Sequence, residues 1–247
     1  MSPEDWPEGY GRRILPDVDS TMLEAARVAP GLSGPEWIMA LQQTAARGRR
    51  GRAWAMPPGN FAATLALPVG TDAAQAALRS FSAALALHDA FSDATGRPDG
   101  FALKWPNDVL LHGGKVAGIL LETLPGGWLS IGIGVNLAAA PARDELQPGA
   151  LPPVALLAET GLRIAPEAFL TLLARAFAGW EARLRAEGFA PVRAEWLRRA
   201  ARLGQEITAR TGSRELTGRF ESIDASGCLI LATPTTRHTI AAAEVFF

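Results

Sequence analysis

The sequence predicts an α+β fold, a mixed and mostly antiparallel sheet flanked by helices, followed by a small all-β barrel at the C-terminal end. Three observations carry this. Four short β-like runs, FALKW, DVLLH, KVAGILLETL and WLSIGIGVNL, follow one another between residues 101 and 137, separated by Pro106-Asn107, His112-Gly113-Gly114 and Pro125-Gly126-Gly127, as in successive hairpins. Two long stretches carry apolar residues at helical spacing, one through Leu78, Phe81, Leu85 and His88, the other through Phe169, Leu173, Phe177, Trp180 and Leu184. Beyond residue 200 the pattern turns to short strands with turn signals, GQEITAR, RELTGRFESID, GCLILAT and RHTIAAAEV. The domains are therefore expected at 1–200 and 201–247.

In chain order, a strand over Arg12 to Val18 runs into Asp19-Ser20-Thr21, which is expected to cap a helix over Met22 to Val28, stopped by Ala29-Pro30-Gly31. EWIMALQQ, Glu36 to Gln43, reads as a strand. The next stretch, TAARGRRGRAWAMPPG, has no amphipathic period and is broken repeatedly by glycine and proline, so it is a loop. Phe61 to Val69 returns to a strand, and Thr71 or Asp72 should cap one long helix carrying the first apolar stripe. His88 on that stripe reads as a satisfied near-core histidine and His112 as an exposed turn residue. Pro141 to Pro153 connects to the second long helix, whose aromatics read as core, and another helical region is expected around Ala194 to Arg202.

Composition excludes several classes of function. The 247 residues carry 24 basic and 25 acidic groups, a formal net charge of −1, which is not the balance of a dedicated nucleic-acid binder. One cysteine, Cys228, cannot form an intramolecular disulfide and fits a reducing compartment. The first residues lack a basic segment followed by an apolar run, and no apolar stretch reaches the length of a membrane span, so a cytoplasmic protein without a membrane partner is expected. No room exists before residue 12 for a helix-turn-helix, so specific DNA binding is not expected. A P-loop, a complete dinucleotide fingerprint, HExxH and GxSxG are all missing.

Four local features remain. RGRRGRAW places Arg47, Arg49, Arg50 and Arg52 within six residues, with no acid between Glu36 and Asp72. Gly48 and Gly51 remove side-chain bulk there, so the loop can fold around an anion as a nest, or equally be a solvated basic loop or a nucleic-acid patch. KWPND puts Lys104 and Asp108 at the mouth of a turn, a pair suited to a phosphate and a divalent metal or to a surface ion pair. GGKVAGILLE delivers Lys115 to the start of a strand in which Gly118 permits close approach. GIGVN thins one face of a strand at Gly132 and Gly134 and ends on Asn136, whose amide offers both a donor and an acceptor. Of the 24 basic residues only Lys104 and Lys115 are lysine, the compact point charge, and the others are arginine.

Taken in order, DST at Asp19 to Thr21, QTAARGRRGRAW at Gln43 to Trp54, GN at Gly59-Asn60, KWPND, GGKVAGILLE and GIGVN resemble the motif series of biotin protein ligases of the short form, without an N-terminal DNA-binding domain. The barrel ending in AAAEVFF is similar in kind to that family's SH3-like cap, and the fold implied is the class II synthetase-like, biotin–lipoate ligase sheet. The resemblance implies ATP- and Mg²⁺-dependent conversion of biotin to biotinyl-5′-AMP, then transfer of biotin to one lysine of a biotin carboxyl carrier protein or carboxylase carrier domain. It implies that Ser20, Thr21 and Gln43 bind the ureido ring, that Arg47, Gly48 and Arg49 wrap the valeryl chain and phosphate, and that Gly118 borders biotin. Lys115 would hold the carboxylate against the α-phosphate. Arg49, Arg52, Trp54, Lys104, Asn107, Asp108, Lys115 and Asn136 would serve ATP, with Asp108 at Mg²⁺ and Asn136 at the adenine. Arg47, Arg49, Lys104, Asp108 and Lys115 would carry the chemistry. Ala46, Met22, Ala62 and Ala243 depart from the family pattern. A lipoate or related acyl ligase and a non-catalytic biotin sensor are the alternatives, and a homodimer is left open.

Overall fold

A computed structural model describes residues 6–52, 54–141, 151–212 and 214–247; the side chain of Arg49 lies outside that description. The first sheet has seven strands in the order β1-β2-β3-β7-β6-β5-β4, formed by β1 (Gly11–Val18), β2 (Glu36–Gln43), β3 (Phe61–Pro68), β4 (Phe101–Lys104), β5 (Asp108–Leu111), β6 (Gly114–Leu124) and β7 (Trp128–Val135). Only the β1–β2 pair is parallel. The expected hairpins are thus present, and the fold is the mixed α+β architecture that the sequence predicts. β1 and β2 are joined through α1 (Thr21–Val28), because parallel neighbours need a crossover.

Alternation along the strands divides the sheet into two faces. Trp37, Met39, Ala63, Leu65, Leu67, Ile131 and Ile133 form one face, buried beneath α3 (Arg79–Thr95) and α5 (Pro166–Glu187). The Trp37 and Phe177 rings meet edge to face at 5.9 Å, and Phe61 meets Phe169 at 5.3 Å. On the opposite face, α1 covers only one end, where Ala25 packs on Ile38 and Ala66. The rest of that face stays open for the site.

Several local expectations need correction. Asp72 does cap a helix, accepting from the N–H groups of Ala74 and Gln75, but α2 (Ala73–Ala77) breaks at Leu78 before α3 begins. Ser20 is the N-cap of α1 without a side-chain capping bond. Asp19 instead pairs with Arg27, which, together with the Ser20 N–H, holds its carboxyl down to about 2. Trp180 is only half-buried and donates its indole N–H to Asp89. A short helix, α4 (Leu156–Thr160), follows the proline-rich connection, of which residues 142–150 lie outside the described residues. α6 (Phe189–Arg198) starts earlier than expected, directly after Gly188 ends α5 at φ +75°.

The second sheet is antiparallel throughout, in the order β11-β10-β9-β8-β12, from β8 (Glu206–Arg210), β9 (Glu215–Ile223), β10 (Leu229–Ala232), β11 (Arg237–Ile240) and β12 (Glu244–Phe246). The run RHTIAAAEV is therefore two strands. This unit shares its core with the first sheet: Trp105 donates its indole N–H to the Gly227 carbonyl at 3.0 Å, and a Cβ at Gly227 would stand 2.6 Å from the Phe81 ring. Among the described residues, no helix is long and apolar enough to cross a membrane.

Between α3 and α5, Arg79 donates to both oxygens of Glu181 at 3.2 and 3.0 Å, with Glu181 2% and Arg79 7% exposed. Removing one partner strands a charge in a dry interface, which typically costs about 3–5 kcal/mol, whereas replacing both partners costs much less. Glu181→Leu should lower the urea midpoint strongly, and adding Arg79→Met should recover much of the loss.

Candidate active site

The open face is organised by strand register. Residues opposite one another in an antiparallel sheet point to the same side, and one such row runs Ala40, Ala62, Gly134, Gly118, Asp108, Lys104 across β2, β3, β7, β6, β5 and β4. Four small residues therefore make a trough in the sheet surface, and a carboxylate and an ammonium close its end. The neighbouring row, Ile38, Thr64, Gly132 and Leu120, is bulkier.

At the closed end, Asp108 lies between the two lysines. Lys115 Nζ is 2.7 Å from Oδ1 and Lys104 Nζ 3.7 Å from Oδ2, with side chains 31%, 10% and 15% exposed for Lys115, Lys104 and Asp108. The Lys115 contact is the shorter of the two and engages Oδ1, while Oδ2 is held more loosely. The turn behind them is fixed by Asn107, whose Nδ2 donates to the Ile119 carbonyl at 2.6 Å while its own carbonyl accepts from the Ile119 N–H. Asn107 thus builds the turn. The Trp105–Pro106 bond within it is cis.

Trp54 lies over the trough. A Cβ on Gly134 would stand 2.5 Å from its Cε2, and one on Gly118 would stand 3.4 Å from its Cζ3 and 3.3 Å from Lys115 Nζ. Lys115 Nζ is 5.6 Å from the Trp54 ring centroid. The Trp54 indole N–H is buried without a partner, as is Asn136 Oδ1. The Asn136 Nδ2 donates one of its two N–H groups to the Val154 carbonyl at 3.1 Å, while Oδ1 is the buried acceptor without a partner. A buried indole N–H and a buried amide oxygen without partners are groups that a polar ligand could satisfy.

The other end of the trough is a buried relay of polar groups. Thr64 donates its hydroxyl to Thr21 Oγ1 at 2.9 Å, and Thr21 donates both its hydroxyl and its N–H to Gln43 Oε1 at 3.1 and 2.7 Å. Among the described residues, Gln43 Nε2 meets the Met56 thioether at 3.7 Å, a weak acceptor. Ser20 sits beside Thr21, 5% exposed, with its hydroxyl uncommitted to the helix. Met22 covers Gly132, at which a Cβ would stand 2.6 Å from Sδ. Thr64 and Met56 escaped the sequence reading, although Thr64 is the one polar residue inside the apolar run FAATLAL.

The arginine loop runs between these two ends. The Gly48 N–H is spent on the Arg52 carbonyl at 2.7 Å and the Trp54 N–H on Ala46, so the loop closes upon itself. Arg50 and Gly51 both have positive φ, +59° and +71°. Arg47 is exposed, whereas Arg50 and Arg52 reach Glu244 on β12, at 3.0 Å for the Arg50 pair. The acid that neutralises this loop comes from the second sheet. Asn60 has a structural role: it accepts from the N–H groups of Ala138 and Ala139 and donates to the Ala139 carbonyl. Among the described residues, no group of three or more His, Cys, Asp or Glu side chains can hold a metal ion.

Residues 11–136 match the model of the biotin/lipoate A/B protein ligase family, and residues 203–247 that of the biotin protein ligase C-terminal domain. The chain is 57% identical to a biotin–[acetyl-CoA-carboxylase] ligase of Paracoccus denitrificans over 95% of its own length and 99% of that protein's. It is 28% identical to the bifunctional ligase/repressor BirA of Escherichia coli, covering 91% of this chain and 70% of that one. In structure it is similar to a biotin protein ligase from Aquifex aeolicus, solved in complex with biotin and ATP, with a TM-score of 0.81 at 23% identity over 95% of this chain and 97% of that one.

The trough depends on β7 having no side chain under Trp54. Gly134→Ala should keep the fold, because Trp54 sits on a loop that can yield, but should drive the indole off the sheet. The Trp54 Nε1–H resonance, assigned by its loss in Trp54→Phe, should shift while Tm stays near that of the parent.

Proposed function

The chain belongs to the biotin/lipoate A/B protein ligase family, and from that premise we propose how its residues carry out ATP-dependent biotin ligation. The protein is a biotin ligase: it joins the biotin carboxyl group to AMP as biotinyl-5′-AMP and passes the acyl group to one lysine of a biotin carboxyl carrier protein or carboxylase carrier domain. Its substrates are biotin and ATP. The observation that carries the division of roles is the trough itself, which starts at the Thr64–Thr21–Gln43 relay and ends at Asp108 between the only two lysines of the chain.

Biotin lies along the trough with its ureido ring at Ser20, Thr21 and Gln43, Gln43 Nε2 exchanging the Met56 sulfur for a ligand carbonyl. From β3 to β5 is three strand spacings, about 14 Å, so the valeryl chain runs over Gly134 and Gly118 toward Lys115. That relay also favours biotin over lipoate, since an apolar dithiolane ring would leave buried donors unpaired. Arg47, Gly48 and Arg49 enclose the chain and the phosphate. Lys115 holds the biotin carboxylate against the α-phosphate, cancelling the repulsion between two anions that must touch. The carboxylate oxygen attacks phosphorus in line and pyrophosphate leaves; the carrier lysine amine then attacks the acyl carbon, AMP leaves, and Asp108 takes up the amine proton.

Lys104 and Arg52 face the polyphosphate, Trp54 flanks the nucleotide, and Asn136 Oδ1 accepts from the adenine amino group. Asp108 is the carboxylate at the closed end of the trough, and its Oδ2, 3.7 Å from Lys104 Nζ, is the more loosely held oxygen, which would suit a Mg²⁺ ion arriving with most of its ligands supplied by phosphate and water. When bound, that ion supplies charge neutralisation at the phosphates. Residues 1–200 are the catalytic domain and 201–247 an SH3-like cap. The cytoplasm suits a single-cysteine, ATP-using enzyme, and β1, which ends the sheet order, offers an edge to a second copy.

Mass detection of an acyl-adenylate from ATP with biotin or with lipoate tests the reaction; an adenylate from lipoate alone would reverse the substrate assignment. Lys115→Arg tests the central role, because a planar fork keeps the charge but separates the anions. Adenylate formation should slow by about 10²–10³-fold with biotin still bound. A parent rate would remove Lys115 from the chemistry.

A further inference from the structure

Strand β12 and the residue that follows it reach the site in two places. Glu244 pairs with Arg50 and Arg52 of the arginine loop, and three residues later the Phe247 ring lies 5.7 Å from Lys104 Nζ and 5.5 Å from the Arg202 guanidinium carbon. Between them, Val245 is 5% exposed and pairs with Ala209, which pins the strand in register. Phe247 itself is 41% exposed, and it stands outside the buried core that holds the two sheets together. An aromatic ring at the surface, held by cations from two parts of the chain, has an electrostatic use rather than a packing one: its negative face attracts an ammonium within about 6 Å. Lys104 is held by the Asp108 carboxylate on one side and the Phe247 ring on the other.

We propose that Phe247 is a positioning residue for ATP: its ring holds the Lys104 ammonium at the closed end of the trough, so that the second sheet sets the geometry of a phosphate-binding charge in the first. This rests on the reading above that Lys104 serves the ATP phosphates. A flexible four-carbon stem loses much of its freedom when its head group is held at two points, and that ordering is complete before ATP arrives. The ring acts through Lys104, so on that reading its effect falls on ATP.

The test is the ATP dependence of single-turnover biotinyl-AMP formation at saturating biotin, with Phe247→Leu, which keeps an apolar side chain without a π face, and Phe247→Trp, which keeps the face. Phe247→Leu should raise half-saturating ATP by about three- to tenfold, the range of a partly exposed cation–π contact, with the plateau rate and biotin affinity at parent values. Phe247→Trp should restore ATP affinity. In a Lys104→Met background Phe247→Leu should add nothing, because the contact is already gone. ATP affinity unchanged in Phe247→Leu, an unrescued Phe247→Trp, or losses that multiply in the double variant would overturn the proposal. A parent chain that forms no biotinyl-AMP would instead overturn the functional reading.

Discussion

Asp108 and the two lysines it holds set the terms for everything around them. Two ammonium groups that flank one carboxylate repel each other, and in a partly buried pocket that repulsion is weakly screened. One carboxylate placed between them, at 2.7 and 3.7 Å, makes the pair tolerable and leaves a net positive charge. That remaining charge suits an anion. The arrangement needs β4, β5 and β6 to meet at one place, which the hairpins at residues 101–118 achieve by bringing Lys104, Asp108 and Gly118 into one row.

Side-chain volume is removed along one row of the sheet and retained elsewhere. Gly134 and Gly118 face each other across β7 and β6, with Ala62 and Ala40 continuing the row. On the reverse face the same strands carry Ile133, Ile119 and Met39 into the core. The sheet is thus a rigid platform because its back is packed, and a binding surface because its front is thin. Polar groups at one end and charges at the other give the trough a direction, matching an acid whose ring is polar and whose reactive carboxylate lies at the far end of an apolar chain.

The second sheet is part of this electrostatic design as well as of the core. Four arginine positions in six residues make a loop that repels itself, and no acid nearby in sequence relieves it. Glu244 does so from β12, binding Arg50 and Arg52. These pairs are exposed and add little to stability in themselves. Their consequence is geometric, since they tie the loop that carries Trp54 to the unit packed behind Trp105 and Phe81.

Local patterns determined much of this protein from the sequence alone. Hairpin turns specified the strands of the central sheet, helical stripes specified α3 and α5, and the ordered strings from DST to GIGVN pointed to the family, because turn chemistry and short motifs depend on neighbours in the chain. The break at Leu78 and the split of RHTIAAAEV were hidden, since tertiary packing decides where a continuous local preference is interrupted. The tertiary structure alone decided which residues share a row, that one Asn136 amide N–H is taken by the Val154 carbonyl, and that Gln43 presents its amide N–H because the two donors of Thr21 occupy its carbonyl. It alone brought Glu244 to Arg52, 192 residues away, and Phe247 to Lys104. Sheet register and interdomain contacts join residues that no local spacing relates, and charge acts through space rather than along the chain.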